Sequence, residues 1–360
     1  MKIAVLLSGG VDSSVALRLL KEQGHELTAF YLKIWLEDEL SFLGECPWKE
    51  DLQFARAVCQ QTEVPLKVLS LQREYWDTIV RYAIDELKAG RTPNSDMFCN
   101  RLIKFGKFFD KIDHSFDKVA SGHYAKIEQV GDTFILKKSP DPVKDQTYFL
   151  GYMRQDQIAR ACFPLGDYTK QQVRNLAQNY NLANKNRKDS QGICFLGQIK
   201  YKDFVEHHLG EMPGEFINID TGKSLGKHRG YWFYTIGQRQ GLGLSGGPWY
   251  VVKKDIDRNI IYLSRKNNVE QRLRDTFEVE QLNWISGKPT EKEYLQVKVR
   301  HGPEYYRCRL ELVDKFSGRV KLEQPDQGIA PGQFAVFYDG DICLGGGIIA
   351  GSSSLSASDV

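Results

Sequence analysis

The chain has 360 residues, 41% hydrophobic and 26% charged, close to the averages for globular proteins. At roughly 150 residues per domain this length makes two to three domains, and it excludes a single small module, a fibre and a disordered tail. Forty-nine Lys and Arg against 46 Asp and Glu leave a net charge of +3, too little for bulk charge to indicate nucleic acid, so an RNA site must come from local clustering.

The apolar run from Ile3 to Leu7 is shorter than a secretion signal needs and is closely followed by Asp12, so it reads as a first core strand. A helix over 13–23 with Gly24 as its C-cap and a strand over 27–34 complete a βαβ unit. Residues 49–62 read as a helix with Leu52, Ala55 and Cys59 on one stripe, 66–71 as a strand, and 74–89 as a helix. A later strand is expected over 118–125. Thr169 and Gln172 form a capping-box start for a helix turning Val173, Leu176 and Tyr180 inward. This alternation predicts an α/β domain with a parallel sheet over 1–200.

From about Gly210 the chain turns rich in Gly and aromatic residues, which predicts a small β-rich central domain over 201–274. Short alternating segments follow. Cys308, Leu310 and Leu312 fall on one face of a strand, and Asp339-Gly340 marks a hairpin turn. A C-terminal antiparallel β-barrel or sandwich is expected over 275–352, with 353–360 a frayed tail. No stretch approaches the roughly 20 apolar residues of a membrane span, so a soluble protein is expected. The seven cysteines, at 46, 59, 99, 162, 194, 308 and 343, include no C-x-x-C pair. Neither a disulfide framework nor a metal cage is indicated, and a reducing cytoplasm is the expected location.

Ser8-Gly9-Gly10-Val11-Asp12-Ser13-Ser14 lies between the first strand and the first helix, where unpaired helix N–H groups face an anion. The glycines let backbone approach a phosphate, and the serines add donors. No Lys follows at the Walker A spacing, so this is a different kind of phosphate cradle. The alternative is an ordinary turn capped by Ser13 or Asp12.

This loop resembles that of the ATP pyrophosphatase-loop (PP-loop) superfamily, and the rest of the chain is similar to the tRNA-specific 2-thiouridylases. The likeness includes Thr92 to Asn100, Ser121 to Tyr124, Lys144-Asp145-Gln146, Gly192 to Phe195, Thr235 to Arg239 and Pro331-Gly332-Gln333. It implies an adenine-nucleotide alpha-hydrolase-like N-terminal domain. It also implies ATP with Mg2+ held by Leu6, Leu7, Ser8, Gly9, Gly10, Val11, Asp12, Ser13, Leu32 and Gly122. The tRNA contacts it implies are Asn94, Ser95 and Asp96 at the flipped-out uracil, with His123, Lys144, Asp145, Gln146, Arg300, His301 and Gln333 elsewhere. The implied reaction is ATP-dependent 2-thiolation of the wobble uridine in tRNAs for Lys, Glu and Gln. Its sulfur would come from a persulfide donor such as a cysteine desulfurase or a sulfur-relay protein. Where the family usually reads PNPD, this chain has Pro93-Asn94-Ser95-Asp96.

Replacing a carbonyl oxygen by sulfur needs a leaving group on that oxygen and a deliverable sulfur, which two separated cysteines can supply through a transient disulfide. The resemblance assigns Cys194 as persulfide carrier, Cys99 as the second thiol and Asp96 as the acid–base residue. From spacing alone, both cysteines could equally be buried and structural. Cys59 and Cys308 read as core, while Cys46, Cys162 and Cys343 lack motif context. The last third of the α/β domain adds Lys185, Arg187 and Lys188 as candidates for holding an RNA backbone, and Ser190, Gly192 and Gly197 as hinges for a segment that orders on tRNA.

Residues 227–234 interleave bases with aromatics, which fits either an RNA surface or an aromatic core beside a basic turn. Gly241, Gly243 and Gly246 match the dinucleotide fingerprint in letters, but Pro248 and a strand follow instead of a helix. Two rival functions remain at this level: a ligase of the same superfamily using a nitrogen nucleophile, and a non-catalytic RNA-binding protein with ATP as structural ligand.

Overall fold

The computed structural model describes residues 1–34, 48–189, 201–265 and 274–350. Its N-terminal strands are β1 (Lys2–Leu6), β2 (Glu26–Lys33), β3 (Leu66–Ser70), β4 (Lys118–Ala120), a hairpin of β5 (Lys126–Val130) and β6 (Thr133–Lys137), and β7 (Ala161–Cys162). Five of them form a parallel sheet in the order β3-β2-β1-β4-β7. The order reverses at β1, so the crevice beyond its carboxyl end is where an open α/β sheet binds ligands. The described helices are α1 (Val11–Glu22), α2 (Trp48–Thr62), α3 (72–88), α4 (95–111), α5 (Thr147–Leu150), α6 (Gln155–Arg160), α7 (Lys170–Asn179) and α8 (Tyr201–Leu209).

The apolar period explains which faces meet. Ile3 and Val5 of β1 join Leu17 and Leu20 of α1 and Leu52, Ala55 and Cys59 of α2 in one core layer. Ala4 and Leu6 point to the other side, into a larger cluster with α3 and α4. α7 starts with the expected capping box and buries Val173 and Ala177, while Leu176 and Tyr180 are only partly covered. The strand expected over 118–125 ends at Ala120, and residues 121–123 continue without regular secondary structure, Ser121 N–H still bonding the Cys162 carbonyl of β7.

The middle of the chain forms a four-stranded sheet from β8 (Gly214–Asn218), β9 (Ser224–His228), β10 (Trp249–Asp255) and β11 (Ile260–Arg265). His228, Tyr231 and Trp232 are buried, and Arg229 is paired with Glu206 and Glu211. The basic aromatic run at 227–234 is therefore core beside an ion-paired turn, not an RNA surface.

β12 (Arg274–Trp284), β13 (Tyr294–Lys298), β14 (Tyr306–Leu312), β15 (Gly318–Asp326), β16 (Phe334–Asp339) and β17 (Ile342–Ile349) make an antiparallel barrel closed by β12 on β17. Cys308 and Leu310 fill it as expected, but Leu312 is exposed because it lies at the strand's end. β17 has a second attachment, since Ile342 and Cys343 pair with Lys137 and Leu136 of β6. The hairpin of the first domain thus extends the barrel's sheet. The glycines at 345–347 allow the strand to change partners: a side chain on Gly345 would meet the Asn283 carbonyl oxygen at 2.1 Å.

Candidate active site around the phosphate loop

The loop after β1 enters α1 through Gly10, which caps the helix without any side-chain acceptor. The first-turn N–H groups therefore face outward for an anion, as a nucleotide's phosphates require. Ser13 ties the turn together: its Oγ accepts from Ser8 N–H at 3.3 Å and donates to the Gly10 carbonyl at 3.0 Å. Gly122, after β4, lies directly against this helix start, where a Cβ would come 2.7 Å from the Ser13 nitrogen. The structure thus brings Leu6 to Ser13 and Gly122 into one place. Leu32, near the carboxyl end of β2, packs partly buried on the adjoining core.

Asn184 and Lys170, absent from the sequence expectations, hold this loop together with Arg187. Asn184, 1% exposed, donates its amide to the Gly9 carbonyl at 2.7 Å and to Ser14 Oγ at 2.9 Å. Arg187 donates to the same carbonyl and pairs with Asp51. Arg187, a candidate from the sequence for holding an RNA backbone, thus braces the phosphate loop. Lys185 bonds Asn181, and Lys188 is exposed. Lys170 Nζ lies 2.6 and 2.8 Å from the two carboxylate oxygens of Asp12, which also accepts from Tyr124 OH at 2.9 Å.

Lys170 also reaches Asp189 at 2.8 Å, and Asp189 gathers Lys144 at 2.9 Å and Arg174. Burial alone would push the Asp189 carboxyl up, but hydrogen bonds and charges from Lys170 and Lys144 outweigh it and hold the group well below the usual carboxylate range. One signal for Lys170 was present in the sequence. A lysine directly after an N-cap faces the positive end of the helix dipole, so it needs acidic partners.

The other expected contacts divide. His123 hydrogen-bonds Ser121 Oγ through Nδ1 at 2.7 Å, and burial followed by the charge of Lys104 holds its imidazole below the usual histidine range. Gln146 is pinned to Tyr124, accepting its N–H at 3.0 Å through the side chain and donating its own N–H to the Tyr124 carbonyl. Asp145 is 2% exposed. Arg300 makes a two-pronged pair with Asp326 at 2.6 and 2.7 Å, and the His301 ring lies 4.6 Å from that of Phe149.

Asn94 caps the start of α4, accepting from Met97 N–H, and its amide reaches Tyr148 OH at 3.3 Å. Ser95 is buried and Asp96 half-buried in the first turn. Gln333 does not face outward. Its amide donates to the Thr92 and Pro93 carbonyls at 3.1 Å each, while Thr92 N–H donates to Pro331 and Thr235 Oγ1 lies 3.2 Å from Thr92 Oγ1. The barrel and the central domain thus clamp the loop that presents Asn94 to Asp96.

Cys99 lies one turn after Asp96, its N–H bonded to the Asp96 carbonyl. It is helical and 1% exposed, within the apolar cluster that includes Met97, Ile103 and Phe108. Cys59, Cys308 and Cys343 are buried and Cys162 half-buried. Cys46 and Cys194 lie outside the described residues, as do Ser190, Gly192 and Gly197.

Three family models cover the chain in succession: a tRNA methyl transferase HUP domain over 1–198, a tRNA methyl transferase PRC-barrel domain over 202–265, and an aminomethyltransferase beta-barrel domain over 274–349. The chain is 46% identical over 356 residues to the tRNA-specific 2-thiouridylase MnmA of Parabacteroides distasonis, spanning 97% of this chain and 99% of that one. It is 47% identical to MnmA 2 of Bacteroides fragilis, with 97% and 100% spanned. The MnmA of Porphyromonas gingivalis is 44% identical, with 97% and 99% spanned. With identity at this level over nearly the whole of each chain, and the phosphate loop built as described, the chain belongs to the tRNA-specific 2-thiouridylase family.

Proposed function

We propose that the protein is an ATP-dependent tRNA-uridine 2-sulfurtransferase that makes 2-thiouridine at the wobble position. The observation that carries this reading is the helix start at Gly10, which no side chain caps, set at the switch point of the sheet. ATP binds with its phosphates on residues 8–13, its adenine side near Leu32 and Gly122, and Mg2+ accompanying the phosphates. The uracil O2 attacks the α-phosphorus and pyrophosphate leaves, so the oxygen becomes a leaving group. A persulfide on Cys194 then attacks C2 and AMP departs. Cys99 attacks the inner sulfur of Cys194, forming a disulfide and releasing the outer sulfur as the C=S of the base. The two electrons that reduce the sulfane sulfur come from the two thiols, and an external reductant resets the pair.

Asp96 is the acid–base residue of this scheme, and the Thr92–Asp96 loop, clamped by Gln333 and Thr235, presents the base. The sulfur reaches Cys194 from a persulfide-bearing partner protein, and tRNAs for Lys, Glu and Gln are the proposed substrates. A superfamily ligase with a nitrogen nucleophile would leave Cys99 dispensable. The purified protein, given unmodified tRNA, ATP and a persulfide source, is therefore expected to release pyrophosphate only when tRNA is present and to yield 2-thiouridine by mass spectrometry. Cys99→Ser should keep the tRNA-dependent pyrophosphate release and lose the 2-thiouridine. Pyrophosphate release independent of tRNA, or thiolation untouched in Cys99→Ser, would overturn the reading.

A further inference from the structure

The three residues Lys144, Asp145 and Gln146 are held by three different parts of the molecule. Lys144 faces Asp189, and its side chain is 38% exposed. Gln146 is fixed to the main chain of Tyr124. Asp145 turns the opposite way, into the joint with the C-terminal barrel, where it accepts from Ser139 N–H at 3.1 Å, Thr147 Oγ1 at 2.7 Å and Tyr305 OH at 3.4 Å. The cation facing it is Lys298 of β13, whose Nζ is 3.9 Å from the Asp145 carboxylate. The Lys298 side chain is fully buried, and among the described residues its ammonium has no hydrogen-bond acceptor. It also lies over the Tyr305 ring, 4.2 Å away, beside which Lys138 lies at 3.8 Å.

A buried ammonium without acceptors needs a facing negative charge, because the desolvation it suffers exceeds what one aromatic ring returns. Burial pushes Lys298 below the usual lysine range, and Asp145 is the first group that pulls it back. A carboxylate that is 2% exposed and already accepts three hydrogen bonds has no surface left for a nucleic acid.

We infer that Asp145 is a positioning residue that acts through Lys298: the buried pair straps the Lys144–Gln146 segment to the barrel, and Lys144 is the residue of the strap that meets the RNA backbone. This rests on tRNA being the substrate, as proposed above. The pair works across the domain joint, so the height and direction at which Lys144 is offered depend on the seating of the barrel.

The experiment measures binding of the full chain to an unmodified tRNA transcript over a salt series, with a thermal melt of each variant. Lys144→Met is expected to weaken binding at every salt concentration and to reduce the log–log salt slope by about one, as loss of one phosphate contact does. Asp145→Asn strands the Lys298 charge and is expected to weaken tRNA binding about tenfold with an unchanged slope and an unchanged KM for ATP. Adding Lys298→Met to Asp145→Asn removes the stranded charge and should restore tRNA binding to within about threefold of the parent.

If Asp145→Asn does not fold, the double variant is compared with the parent directly, and the same threefold limit applies. A lowered salt slope in Asp145→Asn, or a double variant that binds no better than the single one, would overturn the inference. A parent protein that binds no tRNA would instead overturn the tRNA reading itself.

Discussion

At the phosphate loop a methyl group on Gly9 would come 2.2 Å from the Asp51 carbonyl oxygen, and the residue also sits at φ +79°, where side chains are strained. Gly9→Ala is therefore expected to cost about 1–3 kcal/mol or more and to abolish the stabilisation of the protein by ATP, read as the loss of the ATP-dependent rise in melting temperature. An unchanged ATP-dependent rise would show that the loop does not carry the nucleotide.

Asp189 makes a second test, through pH. Its folded carboxyl titrates well below an unfolded one near pH 4, so the stability it contributes is present above about pH 5 and is lost as pH falls toward the depressed folded value. Asp189→Asn is expected to lower stability by about 1–3 kcal/mol at pH 7 and to shrink the difference from the parent as the acid limb is descended. Denaturation at several pH values checks this, and a constant difference down to pH 2 would refute the account. The glycine-serine loop was legible in the sequence because its chemistry is local. Asn184 and Asp189 were not, because 175 positions separate Asn184 from the Gly9 carbonyl it serves and nothing in residues 184–189 announces that contact.

Among the elements, α4 departs most from regular helical geometry. The stretch Cys99–Lys107 is wound in wide π-type turns, and Phe105 leaves helical geometry at φ −114° and ψ 18°. The cause is a side chain inserted into the hydrogen-bond ladder. Gln157 of α6, 2% exposed, donates its amide to the Arg101 and Phe105 carbonyls at 2.7 Å each. Gln157→Leu would remove both bonds, and is expected to destabilise the protein by about 1–3 kcal/mol in chemical denaturation. A loss under about 0.5 kcal/mol would mean that the wide turns are intrinsic to the helix.

Helices α2 and α7 were readable from period and caps because one face of each meets a single core layer, whereas α1, buried between two layers, was readable from its place after the first strand and from the Gly24 that ends it. Residues 95–111 gave no such reading, since Cys99, Ile103 and Phe105 are buried on a helix whose turns do not keep the 3.6-residue period. The substitution at Ser95 fits the same local geometry. Asn94 caps the helix through its own side chain, so the start of α4 does not depend on a proline at the next position.

On the scale of the whole molecule, the three sheets are tied together at several places, the Asp145–Lys298 pair among them. Gln333 and Thr235 grip the Thr92–Pro93 turn, and the β5–β6 hairpin extends the barrel through β17. A single cooperative unfolding transition is expected in calorimetry, because the N-terminal domain and the barrel cannot separate without exposing this shared edge. Gln333→Ala is expected to lower the melting temperature modestly while raising KM for tRNA more than KM for ATP, since it frees the loop presenting Asn94 to Asp96 and leaves the phosphate loop untouched. Equal effects on both KM values would place Gln333 outside base presentation. The barrel was legible from alternation and the Asp339-Gly340 turn. Its junction with the hairpin was not, since β5 and β6 look in the sequence like an ordinary two-stranded excursion.

That junction has a consequence for how the chain is made. β6 leaves the ribosome roughly 200 residues before its partner Ile342, an interval of about 10–40 s at the usual 5–20 residues per second. Throughout it the nascent first domain carries an unmated strand edge, the kind of surface on which growing chains stick to one another. Lys126, Glu128 and Lys137 line this hairpin, and Glu128 and Lys137 pair at 2.8 Å. The charges guard the edge while it waits, so neutralising all three should send newly made protein into aggregates during synthesis while leaving already folded molecules nearly as stable as before.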